Sequence, residues 1–115
     1  MNKTILIGYG SWGKKIYHTL NSIKDFKIIK IIRKNIRYNN KSLFSNNLLD
    51  IKKSIAANSV FICTPNKTHF KIAKYALEND KNVFLEKPAC FNNKEYSELS
   101  NIAKKNKLIF HVNYI

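Results

Sequence analysis

The sequence predicts an α/β fold: a doubly wound, mainly parallel sheet with helices on both faces, three layers forming a single domain. Three observations carry that expectation. Short apolar runs such as Thr4-Ile5-Leu6-Ile7 and Val60-Phe61-Ile62-Cys63 have the pattern of strands buried on both faces. Stretches with apolar residues at helical spacing fall between such runs, and this alternation implies parallel strands joined by right-handed crossovers. The chain has 115 residues, enough for one hydrophobic core and too few for two.

In chain order, Thr4–Ile7 is the first strand, closed by Gly8. From Trp12 onward Ile16, Leu20 and Ile23 recur at helical spacing. Phe26 to Ile32 is an isoleucine-rich strand that ends in Arg33-Lys34-Asn35. The stretch from Ile36 to Asn47 is polar and rich in asparagine, with a short strand expected around Ser42–Phe44. Leu48 to Ile55 suits a short helix. Val60–Cys63 is a strand broken by Thr64-Pro65-Asn66, and His69 to Asn79 is a helix with Ile72, Ala73, Ala76 and Leu77 on one face. Val83-Phe84-Leu85 is a strand. Asn92 followed by Glu95 matches a capping box, and opens a helix expected to turn Tyr96, Leu99 and Ala103 inward. Leu108 to Val112 is the last strand. No repeat or linker divides the chain, so residues 1–115 are expected to form one domain.

Composition narrows the function. Hydrophobic residues make up 44% and aromatics 12% of the chain, too many for a disordered polymer despite a net charge of +14. No apolar run approaches the roughly 20 residues of a membrane span, and the start lacks the apolar stretch of a signal peptide. Cys63 and Cys90 alone do not make a disulfide framework, so a cytoplasmic protein is expected. The charge invites a nucleic-acid reading. Yet only Arg33 and Arg37 are arginine among 21 basic residues, and the lysines are scattered along the chain. A base-reading surface needs arginine, and a single-strand binder needs stacking rings, so a solvated, anion-friendly surface is the better account.

Gly8-Tyr9-Gly10-Ser11-Trp12-Gly13 fits G-x-G-x-x-G, and it follows an apolar strand and opens a helix. Gly8 allows the tight turn, Gly10 lets backbone approach a pyrophosphate, and Gly13 lets helix and strand pack closely. The amides and dipole at the helix start then favour an anion. A dinucleotide fold expects an acid about 20 residues further on to hold the adenosine ribose. Here Ile31-Ile32-Arg33-Lys34 has none. Arg33 suits the 2′-phosphate of NADP, or is one more basic surface residue; the lean is toward NADP, with NAD left open. His69, at a helix start, is expected to cap or line the loop before it rather than transfer protons. No grouping of His, Cys and acids has metal-ligand spacing.

The loops at Gly8–Gly13, Thr64–His69 and Glu86–Pro88 all follow strands. In a parallel sheet they share the carboxyl edge, where ligands bind. Together, Gly8–Gly13, Thr64-Pro65-Asn66-Lys67-Thr68-His69 and Glu86-Lys87-Pro88 resemble the N-terminal NAD(P)-binding Rossmann domain of the glucose-fructose oxidoreductase/inositol dehydrogenase (Gfo/Idh/MocA) family. The resemblance covers essentially the whole chain. It implies that Gly8, Gly10, Ser11 and Trp12 line the pyrophosphate, that Thr64, Pro65 and Asn66 run toward the nicotinamide, and that Glu86 meets the nicotinamide ribose. It makes Lys87 the active-site lysine, with Pro88 aiming it into the cleft. The implied parent reaction is hydride transfer between a nicotinamide cofactor and a sugar, cyclitol or nucleotide-sugar hydroxyl. Family members continue into a second domain that supplies most of the substrate pocket, so the chain alone is expected to be incomplete for catalysis. The alternatives are a stand-alone NAD(P)-binding or regulatory module and, less favoured, a basic nucleic-acid binder.

Overall fold

The computed structural model describes residues 2–33, 43–64, 66–85 and 92–112. Six strands form one sheet: β1 Asn2–Ile7, β2 Phe26–Ile32, β3 Phe44–Ser45, β4 Ser59–Ile62, β5 Asn82–Leu85 and β6 Phe110–Val112. Their order across the sheet is β3-β2-β1-β4-β5-β6, and every neighbouring pair is parallel. Among the described residues four helices connect them: α1 Ser11–Ser22, α2 Asp50–Lys53, α3 His69–Glu78 and α4 Asn93–Lys105. A 3₁₀ turn, Asn66–Thr68, leads into α3.

The strands sort their side chains by alternation. Val60, Ile62, Val83 and Leu85 point to one face and pack under α3 and α4 with Ala73, Ala76, Leu77 and Leu99. Ile51 of α2 joins the same core. On the opposite face Leu6, Ile28 and Ile31 meet Leu20 of α1. Both outer layers are present, as expected, but they are unequal. Among the described residues α1 is the one helix on its face, and beyond it the sheet carries Phe61 and Phe84, stacked at 4.7 Å between ring centroids, with His111 alongside at 6.2 Å. The two phenylalanines are half-buried and His111 is exposed.

Local chemistry explains the ends of the elements. Asn92 accepts from the Glu95 amide at 2.7 Å while Glu95 reaches back to the Asn92 amide at 3.2 Å, the reciprocal capping box expected from the sequence. All three glycines lie within residues 8–13, so the turns after α3 and α4 use Asp80 at φ 61° and Lys107 at φ 56° instead.

Several expectations are corrected in detail. Tyr96 is 43% exposed, because it stands in the first turn of α4, against Phe110 at the open end of the sheet. Ile23 is not a helix-face residue but the C-cap of α1, and is exposed. Cys63 lies one residue past the end of β4 and is half-buried rather than inside the strand. The third strand, expected around Ser42–Phe44, is Phe44–Ser45; of the expected residues Ser42 lies outside the described ones.

Candidate dinucleotide site

The parallel sheet brings the carboxyl ends of β1 and β4 side by side at the point where strand order reverses, since β1 pairs with both β2 and β4. Ligand crevices in open α/β sheets form at such a switch point. Gly8 leaves β1 with φ +94°, a left-handed turn that a side chain resists. A Cβ there would come within 2.7 Å of the Cys63 carbonyl oxygen, so the end of β4 packs directly on the turn. Gly13, buried in the first turn of α1, would drive a Cβ into the Gly8 carbonyl, so the helix sits down on the turn through its glycine. Gly10 is different: a Cβ built on it meets nothing within 4 Å.

Gly10 is also the N-cap of α1, with extended backbone and no side-chain cap. The first helical bond runs from the Lys14 amide to the Gly10 carbonyl at 2.9 Å. The amides of Ser11, Trp12 and Gly13 therefore have no partner within the helix, and no acidic side chain stands in its first turn. An uncapped helix start beside an open glycine is chemically suited to a phosphate, which takes amide donors and the positive end of the helix dipole. Trp12 is 47% exposed, with Lys15 Nζ 5.4 Å from its ring centroid. The residues present fit a pyrophosphate.

Arg33 follows β2 directly, and its amide donates to the Ser45 carbonyl at 2.8 Å, pinning the strand end. Its guanidinium lies 5.6 Å from the centre of the Tyr9 ring, and Lys14 Nζ lies 5.7 Å from the same ring. Tyr9 is held edge-on by Tyr17 and Phe44. One aromatic plate thus gathers two cations beside the glycine turn, an arrangement with cation–π attraction on each. Sequence reasoning singled out Arg33 but not Tyr9 or Lys14. Nothing in sequence distinguishes Lys14 from the other lysines.

On the neighbouring loop the hydroxyls of Thr64 and Thr68 are 2.7 Å apart, and the ring of His69 is buried with Nε2 at 2.6 Å from the Thr64 carbonyl oxygen. Of the sequence-predicted site residues, Pro65, Glu86, Lys87 and Pro88 lie outside the described residues, as do Cys90 and Arg37, and the side chain of Asn66 is likewise outside them. A separate apolar groove of about 600 Å³ runs along α3 between Leu48, Leu49, Phe70 and Tyr75. No sequence-predicted residue lines it. Among the described residues, no helix is long and apolar enough to cross a membrane.

A parallel sheet in this order, with a glycine turn and an uncapped helix start at its switch point, defines a dinucleotide-binding domain of the Rossmann type. Residues 3–114 match the family model described as oxidoreductase family, NAD-binding Rossmann fold (GFO_IDH_MocA), and the chain belongs to that family. It is 38% identical over 65 residues to the uncharacterized oxidoreductase YfiI of Bacillus subtilis (strain 168), a match covering 56% of this chain and 16% of that protein. Among solved structures it superposes on an oxidoreductase from Bacillus cereus with TM-score 0.88 at 22% identity, covering 97% of this chain and 34% of that one. It superposes equally broadly on biliverdin reductase in complex with biliverdin and NADP+ from Synechocystis sp. PCC 6803, with TM-score 0.86 at 18% identity over 97% of this chain and 37% of the other. The chain thus spans little more than a third of these solved relatives, and identities this low speak for the fold alone.

Proposed function

We propose that this chain is the cofactor domain of an enzyme moving hydride between a nicotinamide dinucleotide and a hydroxyl of a sugar, cyclitol or nucleotide-sugar. In this reading it needs a second domain for most of its substrate pocket. The observation that carries the cofactor assignment is the open side of Gly10 above the first α1 amides, which have no partner within the helix. There the backbone of Gly10, Ser11, Trp12 and Gly13 holds the pyrophosphate. Thr64, Pro65, Asn66 and His69 belong to the loop that borders the rest of the dinucleotide, and the bound nicotinamide supplies hydride transfer. Glu86 and Pro88 flank the reacting end. Lys87, two residues beyond the end of β5, is read as the residue whose ammonium favours loss of the substrate hydroxyl proton and stabilises developing alkoxide. The support for this role is the Glu86-Lys87-Pro88 run, which follows a strand parallel to β1 and β4 and so leaves the same edge. The reading puts the protein in the cytoplasm, since the two cysteines of the sequence, Cys63 and Cys90, do not make a disulfide framework.

Calorimetric titration with NADPH, NADH and ADP tests the cofactor assignment, and no heat from any of them at millimolar concentration would sink it. Between the two dinucleotides the reading favours NADP, because Arg33 and Lys14 both stand on the Tyr9 ring where an adenosine 2′-phosphate would want cations. Arg33→Asp should move the NADPH/NADH affinity ratio toward NADH by about tenfold or more, the loss of one charge-assisted contact. An unchanged ratio would mean that Arg33 does not read the ribose.

A further inference from the structure

His69 is the first residue of α3 and is 1% exposed. Its Nε2 lies 2.6 Å from the Thr64 carbonyl oxygen. A carbonyl oxygen can only accept, so Nε2 carries the hydrogen and the ring is held in its Nε2–H form. Nδ1 is buried with no hydrogen-bond partner among the described residues. Filling a core position with a ring that leaves one nitrogen unmet costs stability, and a purely apolar side chain would avoid that cost. What the ring secures in return is the Thr64 carbonyl. That carbonyl belongs to the loop whose first peptide packs on the glycine turn: a Cβ on Gly8 would stand 2.7 Å from the Cys63 oxygen and 3.1 Å from the Thr64 amide nitrogen. Thr64 and Thr68 close the same loop through their hydroxyls at 2.7 Å. A single line of contact therefore runs from the His69 ring through Thr64 to Gly8.

We propose that His69 is a positioning residue. Its Nε2–H grips the Thr64 carbonyl and sets the β4–α3 loop against the glycine turn, and it neither touches the dinucleotide nor exchanges a proton with substrate. This rests on the reading that the loop borders the bound dinucleotide. Position alone decides the test, because glutamine places an amide N–H where Nε2–H stands, whereas asparagine reaches only as far as Nδ1.

Long-range ¹H–¹⁵N NMR of the wild-type chain reads the tautomer directly, without cofactor. The Nε2–H form is expected, and the Nδ1–H form would overturn the proposal. NADH and NADPH titrations of His69→Gln and His69→Asn, each checked for folding by circular dichroism, provide the functional arm. The glutamine variant should bind within about threefold of wild type, and the asparagine variant about tenfold more weakly, as for one lost hydrogen bond. Equal affinities in the two variants would overturn the positioning role. Should His69→Asn fail to fold, the glutamine variant decides, and a loss of tenfold or more there overturns it. A wild-type chain that binds neither dinucleotide would instead refute the cofactor reading, and the tautomer result would stand apart from that failure.

Discussion

The glycine turn makes a prediction that separates folding from binding within six residues. At Gly13 an added Cβ collides with the Gly8 carbonyl oxygen and stands 2.9 Å from its carbon, inside the 3.0 Å that Cβ atoms essentially never cross. Both partners are backbone, so no side chain can swing aside, and α1 must lift off the turn. Overpacking of this kind costs about 3 kcal/mol. In a domain of this size that lowers the melting midpoint of Gly13→Ala by roughly 10–20 °C. At Gly10 the same methyl meets nothing within 4 Å, and its φ of −78° suits alanine. Losing glycine at an N-cap and gaining a stiffer unfolded chain each amount to less than about 1 kcal/mol and have opposite signs, so Gly10→Ala should melt within about 5 °C of wild type. Yet that methyl stands where a phosphate must come close to the α1 amides. Weakening one or two charge-assisted bonds there reduces NADH or ADP affinity about tenfold to a hundredfold. Thermal circular dichroism and calorimetric titration on both variants make the comparison. The reasoning fails if Gly10→Ala binds like wild type, or if Gly13→Ala melts with it.

Two further substitutions probe the opposite, amino-terminal end of the sheet. Lys81 is 5% exposed, and its Nζ donates to the Ser54 carbonyl at 2.8 Å and the Ala57 carbonyl at 2.6 Å, tying the α2–β4 loop to β5. Lys81→Met should cost about 1–3 kcal/mol in urea unfolding, because two carbonyls lose their donor. Burial holds the Lys81 ammonium below its ordinary value of 10.5, so between the lowered value and 10.5 the unfolded chain keeps a proton that the folded chain has released. Stability therefore rises with pH across that window in wild type, relative to Lys81→Met; an identical pH slope in the two proteins would contradict this. Ser59 is 3% exposed and its hydroxyl has no partner among the described residues. Ser59→Ala should leave stability unchanged or raise it by up to about 1 kcal/mol, and a clear loss in the same unfolding assay would show that the hydroxyl is bonded in solution.

Much of this architecture was legible because neighbouring residues encode it. β2 matches the isoleucine run Phe26–Ile32, and the capping box at Asn92 and Glu95 is a contact between residues three apart. Gly8 and Gly13 could be read because a tight turn and a close helix approach leave no room for any other residue. What stayed hidden depends on distant partners. Lys81 and Lys14 are two of many lysines until the fold brings carbonyls to one and a tyrosine ring to the other. His69 could be placed at a helix start, but not the direction of its ring. Periodicity also overstated Tyr96, whose spacing from Leu99 and Ala103 suits the inner face although its place in the first turn leaves it open. Apolar runs report that a strand wants cover on both sides, not that cover is there. Among the described residues, Phe61 and Phe84 lie in such runs and are only half-buried.

That open aromatic strip sits on a chain of net charge +14, and the pairing has a colloidal consequence. At low ionic strength the common positive charge keeps copies apart, although among the described residues this strip is only half-buried. Adding salt shortens that repulsion to about 10 Å at 0.1 M while leaving the apolar strip as adhesive as before. The isolated chain should therefore scatter more light as salt is added, its dispersal depending on long-range charge rather than on a closed surface.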